Sequence, residues 1–253
     1  MDLTLPDIIR EFRLNIRGVI HVGAHLGQEA QVYRACGIER QLWIEPQPDI
    51  FARLCAGLPD DARVRAVNVA CGETPGVATM HVLSGNEGKS NSLLEPKLHL
   101  QKWPEFQPGE KIDVAVKRLD DVIDEQGLRA NDFNLICIDT QGFELPVLRG
   151  ATRQIERADA MVCEVAAAEL YAGGTLVHDL DAFLRERGFL RVKTKWAAGC
   201  SGDALYVRRS LLPLWRRAKV AMFGGEGHAP SARAVRQWRA MRVLAGLEQR
   251  RDG

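Results

Sequence analysis

Short β-branched runs alternate with stretches of helical period along this chain, and the arrangement that buries both is a mostly parallel sheet with helices on its two faces. Residues 18–23 (GVIHVG), 41–45 (QLWIE) and 63–70 (RVRAVNVA) read as the first three strands, and 134–139 (NLICID) and 160–165 (AMVCEV) as later ones. A helix is expected over 28–36, with Ala30, Tyr33 and Cys36 on one face and Gly37 as a stop. A second follows Pro46, where Ile50, Phe51, Leu54 and Leu58 make a stripe. Leu145, Leu148, Ala151 and Ile155 mark a third, and Leu176, Leu180, Phe183 and Leu184 a fourth, capped by Gly188. The last two runs, 190–196 (LRVKTKW) and 204–209 (ALYVRR), are close enough to pair antiparallel.

Between residues 72 and 118 the pattern changes: two alternating runs, VATMHVLS and KIDVAVKR, flank a polar, Pro-containing stretch. A plain βα repeat does not need it, so it reads as an insertion over one edge of the sheet. Residues 84–109 have the length and polarity of a functional loop, and Asn91 and Ser92 are expected to face a substrate there. The chain then divides into a helical N-terminal segment (1–16), a core domain (17–209) and a basic helical appendage (210–253).

Composition bounds the function. With 46% hydrophobic and 26% charged residues the chain is an ordinary globular one, and a net charge of +1 gives no overall field directed at nucleic acid. The basic charge is concentrated in residues 211–253, where nine Lys/Arg face three Asp/Glu. There Val235, Trp238, Met241 and Leu244 or Ala245 form an apolar stripe flanked by Arg233, Arg236, Arg239 and Arg242. Such a helix suits an anionic membrane surface or a partner protein, and equally suits packing on its own domain. Six cysteines without a C-x-x-C pair form neither a zinc site nor a disulfide framework. No apolar run approaches the ~20 residues that span a bilayer, and the first residues lack the apolar core of a secretory signal. A cytoplasmic location is expected.

The chemistry gathers at strand ends. The first strand runs into His21-Val22-Gly23-Ala24-His25-Leu26-Gly27, and glycines where a strand turns into a helix let a ligand approach the backbone and the free N–H groups of the helix start. A tight turn alone would also call for small residues. Glu45 narrows the choice: it ends the second strand 22 residues after Gly23, where nucleotide-binding α/β folds place an acid that accepts ribose hydroxyls. The pair points to an adenosine-containing ligand and leaves S-adenosylmethionine and NAD both open. Asp139, Gln141, Gly142 and Glu144 follow the fourth core strand and Glu164 ends the next, in the crevice where such sheets bind ligands. Helix capping by Asp139 is the plainer alternative. Asp139, Glu144 and Glu164 lack a metal-ligand spacing, so no metal site is expected. Neither a P-loop nor a nucleophile elbow is present.

The segments HVGAHLGQE, WIEPQP, VACG, NSLL, LDDVI and IDTQGFELPVLRGA, in this order over residues 17–209, resemble the FkbM-type methyltransferase family. The resemblance implies a class I S-adenosylmethionine-dependent methyltransferase with a seven-stranded Rossmann-like sheet, a C-terminal antiparallel strand and O-methylation of a sugar, glycan or related natural product. It implies that Gly23, Ala24 and Gly27 surround the methionine part of the cofactor, while His21 and His25, two residues either side of Gly23, are expected from their position to flank the ligand. Glu45, with Pro46 after it, binds the ribose, and Ala70 lies beside the adenine. Asp139, Gln141, Gly142 and Glu144 match the family's segment beside the transferred methyl, and Glu164, from its place at the end of the next strand, is expected at the acceptor. Three positions depart from the family's usual residues: His21 stands for Asp, Cys137 for Lys and Gln141 for Glu. Asp139 is the expected base or acceptor-orienting carboxylate, with Glu144 and His25 as alternatives. An NAD-dependent oxidoreductase and a non-catalytic binding subunit retaining the fold are the rival readings.

Overall fold

Strand β1 (Gly18–Val22) is buried at every residue and β2 (Arg40–Ile44) at all but its first, as strands covered on both faces must be. The computed structural model describes residues 3–197, 200–223 and 225–227. After β3 (Val64–Val67), a two-residue strand β4 (Ala70–Cys71) leaves the main sheet and, with β5 (Gly76–Leu83) and β6 (Pro108–Lys117), builds a separate three-stranded one. The expected strand over 63–70 is therefore two short ones. The main sheet resumes with β7 (Leu135–Ile138), β8 (Ala160–Ala166), β9 (Phe189–Trp196) and β10 (Ser201–Arg208), in the order β3-β2-β1-β7-β8-β10-β9. All neighbours are parallel except β10, which runs antiparallel to both β8 and β9. This is the doubly wound α/β sheet that the alternation implied, with the seven strands that the resemblance implied.

Side chains of successive strand residues point to opposite faces, so each face has its own core. Ile20, Val22, Leu42, Ile44, Ile136 and Ile138 pack against α5 (Leu119–Glu125), α6 (Glu144–Arg149), α7 (Thr152–Arg157) and α8 (Val177–Glu186). Val19, Trp43, Leu135 and Cys137 pack against α1 (Leu5–Phe12), α2 (Ala30–Ala35) and α3 (Pro48–Gly57). The one helix expected through Leu145 and Ile155 is two, α6 and α7, broken at Gly150. A β-carbon there would lie 2.1 Å from the Gly72 carbonyl oxygen. The buried Asp120 carboxylate of α5 starts the second piece, accepting from the backbone N–H of Arg153 (2.9 Å) and Gln154 (3.0 Å).

The C-terminal segment begins with α9 (Leu214–Phe223), which docks on the N-terminal helix: Arg216 bonds Glu11 at 3.0 Å and its guanidinium lies over the Phe12 ring. The apolar stripe expected at 235–245 lies outside the described residues. Among the described residues, no helix is long and apolar enough to cross a membrane.

Candidate active site

The chain runs outward from β1 to β2 and β3, then returns to place β7 on β1's other side. The crevice between β1 and β7 is the point where such sheets open for ligands. Gly23 sits at its floor. Its φ is +79°, and a β-carbon there would lie 1.8 Å from the Asp139 carbonyl oxygen, so only glycine allows the two strand ends to approach. Above it lies a cleft of about 630 Å³ at the carboxyl ends of the strands.

At one end the cleft is lined by His21, Gly23, Ala24, Glu45, Pro46 and Ala70. Glu45 is buried, and its two carboxylate oxygens accept the backbone N–H of His25 (2.8 Å) and Gln47 (2.9 Å). Burial raises its pKa, while those N–H groups act in the opposite direction. Each oxygen keeps a lone pair for a second donor, which is what a ribose diol requires. A buried carboxylate with spare acceptor capacity, small residues over the crevice and enough volume for an adenosyl ligand all fit S-adenosylmethionine.

His21 is a core residue as much as a lining one. It stacks on Trp43 at 5.2 Å, its Nδ1 accepts the Tyr33 hydroxyl at 2.8 Å, and burial lowers its pKa. Gly27 does not line the cleft; it lets the turn pack against the Leu54 side chain.

At the other end the backbone of Gln141 is left-handed (φ +53°), which turns its side chain into a junction. The amide donates to Asp139 Oδ1 and to Glu164 Oε2, both at 2.7 Å. Its oxygen lies 2.9 Å from the Tyr171 hydroxyl, which is equally close to the Ser90 carbonyl oxygen and donates to one at a time. Burial, with the charges of Asp139 and Glu144 added, pushes the Glu164 pKa well above the usual carboxylate range. Glu164 is thereby disposed to keep its proton, while the Asp139 side chain is exposed to the cleft.

Four expected residues have polar groups already engaged within the protein. Glu144 is buried beneath the loop and does not line the cleft. Its Oε1 accepts Gly142 N (2.9 Å), Thr140 N (3.2 Å) and Thr140 Oγ1 (3.3 Å), fixing the turn that carries Gln141. His25 has no nitrogen to spare for a base: Nδ1 accepts the Gln28 amide, leaving Nε2–H to donate to the Glu87 carbonyl, each at 2.7 Å. Asn91 lines the cleft, but its amide bonds Gln47 and Leu83 N. Ser92 likewise lines it with its hydroxyl donating to Gln141 O at 2.8 Å. Through Gln47 and the Gln141 carbonyl, the two fasten the insertion to the loops at the strand ends.

The insertion, rather than covering one edge, closes over the cleft itself. Met80, His99, Trp103 and Phe106 line it, as does Ser201 of β10. None of these stood out in the sequence, although large aromatics in an otherwise polar loop were a usable signal.

Residues 21–191 match the protein family described as Methyltransferase FkbM domain. The 2-O-methyltransferase NoeI of Sinorhizobium fredii is 28% identical over 193 residues, covering 74% of this chain and 77% of that protein. Sp1610 of Streptococcus pneumoniae, solved in complex with S-adenosyl-L-methionine, aligns over 96% of this chain and 89% of that one at 14% identity and a TM-score of 0.48. Magnesium protoporphyrin IX methyltransferase from Synechocystis, solved with bound cofactor, aligns over 81% and 78% at 10% identity and a TM-score of 0.43.

Proposed function

Because the chain belongs to the FkbM methyltransferase family and so uses S-adenosylmethionine, we propose that it methylates a hydroxyl oxygen, and that the hydroxyl is carried by a sugar, a glycan or a related natural product. The observation that carries this reading is the Asp139–Gln141–Glu164 junction. It lies at the opposite end of the cleft from Glu45. With neighbouring strands about 4.8 Å apart, β2 and β8 stand roughly 14 Å apart, the reach of an adenosyl group with an acceptor beyond it. Kinship to a 2-O-methyltransferase supports oxygen as the atom modified.

The cofactor supplies an electrophilic methyl on a sulfonium, set for in-line displacement. The chain's own residues then have two tasks. Glu45 and the β1 turn fix the adenosyl end. Asp139 accepts the acceptor's hydroxyl proton, since a sugar hydroxyl is barely ionised at neutral pH. Gln141 holds Asp139 in place by the 2.7 Å amide bond. Glu164, held neutral, can donate to a second acceptor oxygen. Family membership makes S-adenosylmethionine the cofactor, and the oxidoreductase reading falls with it.

Asp139→Asn tests the assignment. Methyl transfer to glycosides should fall about 10²–10⁴-fold, with S-adenosylhomocysteine affinity unchanged by titration calorimetry. Full turnover would remove Asp139 as base, and lost cofactor affinity would make it a binding residue.

A further inference from the structure

The insertion brings to the cleft a group of rings that the cofactor end does not use. α4 (Leu98–Lys102) is tied down by Leu170, whose carbonyl accepts the N–H of Lys97 (2.9 Å) and His99 (3.0 Å). This places the His99 ring 4.6 Å from Trp103, 5.7 Å from Phe106 and 5.2 Å from Tyr171. Tyr171 in turn touches Gln141, so the rings continue directly into the Asp139–Glu164 junction. The Lys102 ammonium, buried without a hydrogen-bond partner, lies 3.9 Å from the Trp103 ring centroid. Trp103 and Phe106 are only half-buried, and both line the cleft.

We propose that His99, Trp103 and Phe106 form the acceptor subsite, an aromatic wall on which the C–H face of a neutral sugar ring stacks while its hydroxyls reach Asp139 and Glu164. The inference rests on the reading of this protein as an O-methyltransferase of hydroxyls. Its class follows from combining two surfaces. A sugar ring has an apolar C–H face and a rim of hydroxyl donors; the rings suit the first and the carboxylates the second. An anionic acceptor would meet the Asp139 carboxylate, which lines the cleft. A flat aromatic acceptor would stack but leave most of the carboxylate oxygens without donors. The wall also carries a debt of its own: His99 Nδ1 is buried and has no hydrogen-bond partner. Such an atom costs about 1–3 kcal/mol, which a hydroxyl donor entering the wall would remove. Burial holds the His99 imidazole well below its usual range, at about 4, so the ring is neutral, and the tautomer with its proton on Nε2 leaves Nδ1 as the acceptor for such a hydroxyl.

The test uses the full chain with S-adenosylhomocysteine and a panel of neutral methyl glycosides, read by saturation-transfer NMR, together with methyl-transfer kinetics using S-adenosylmethionine. Ring C–H protons of at least one glycoside should receive saturation. Trp103→Ala should raise that glycoside's KM about threefold to tenfold, the scale of one aromatic contact, while kcat and S-adenosylhomocysteine affinity hold. Retained affinity shows that the variant folds, and Trp103→Phe should restore most of the KM. Unchanged KM in both Trp103→Ala and Phe106→Ala, no saturation of any glycoside, or tighter binding of the corresponding uronic acids or of simple phenols would each overturn the subsite. Methyl transfer to hydroxyls that persists in those outcomes leaves the O-methyltransferase reading intact. Wild-type protein that methylates no hydroxyl acceptor overturns that reading instead.

Discussion

Glu144 is a carboxylate used as a fastening, and its position has a cost that depends on pH. Burial, with the Asp139 charge added, raises its pKa from the ordinary 4.5 to about 7. The folded chain therefore keeps a proton that the unfolded chain begins to release near 4.5. The stability of this arrangement is full below that pH and is lost as pH rises through about 7. Glu144→Gln keeps an oxygen in the place of Oε1 and cannot titrate. Its midpoint of thermal unfolding should gain steadily on the wild type's between about pH 5 and pH 8; a constant difference across that range would show that Glu144 does not titrate there. The adjoining departures from the family pattern also become intelligible. His21 and Cys137 are direct partners across β1 and β7, and Tyr33 bonds both. Burial lowers the pKa of His21 and lifts that of Cys137 to about 12, so a neutral pair stands where the family's Asp and Lys would be charged. Gly23, Glu45 and Asp139 were legible because their meaning is local: each ends a strand. The bonds that occupy His25, Asn91 and Ser92 were not, since their partners lie up to 62 residues away in sequence.

At the scale of elements, the α6–α7 break shows what periodicity conceals. Leu145, Leu148, Ala151 and Ile155 keep helical spacing straight through it, because both pieces lean on the same core. The close approach of Gly150 to Gly72 and the cap from Asp120 belong to tertiary structure. Asp120→Ala should destabilise the fold by about 1–3 kcal/mol in urea denaturation, the cost of two backbone donors left without an acceptor. Asp120→Asn, which keeps one acceptor oxygen, should lose less; equal losses would assign the effect to packing. The early end of β3 has the same origin. Val64–Val67 and Ala70–Cys71 read as one run, but Asn68 donates its side-chain amide to the carbonyls of Glu45 (2.8 Å) and Pro46 (2.9 Å), turning the chain out to the small sheet. The stacking within the aromatic wall has the same origin, since the small sheet and the Leu170 carbonyl together place α4 over the cleft.

The whole molecule links binding to stability. S-adenosylhomocysteine at a hundred times its Kd should add about 2.7 kcal/mol to the unfolding free energy of the wild type. Glu45→Ala should weaken that binding by about 1–3 kcal/mol, so that roughly 5- to 150-fold more ligand is needed for the same gain; equal requirements would remove Glu45 from the site. The alternation of strands and helices disclosed the sheet and its carboxyl-end crevice, while strand order had to come from pairing. That order governs how the chain emerges from the ribosome. Among the described residues β10 is the last strand made, yet it lies between β8 and β9. Until residue 208 has been synthesised, β9 has no neighbour in the sheet, and the apolar β8 presents an unpaired edge. A nascent chain stalled before Ser201 thus displays the kind of open edge on which aggregation begins and which chaperones cover, and the final strand both completes the sheet and seals it.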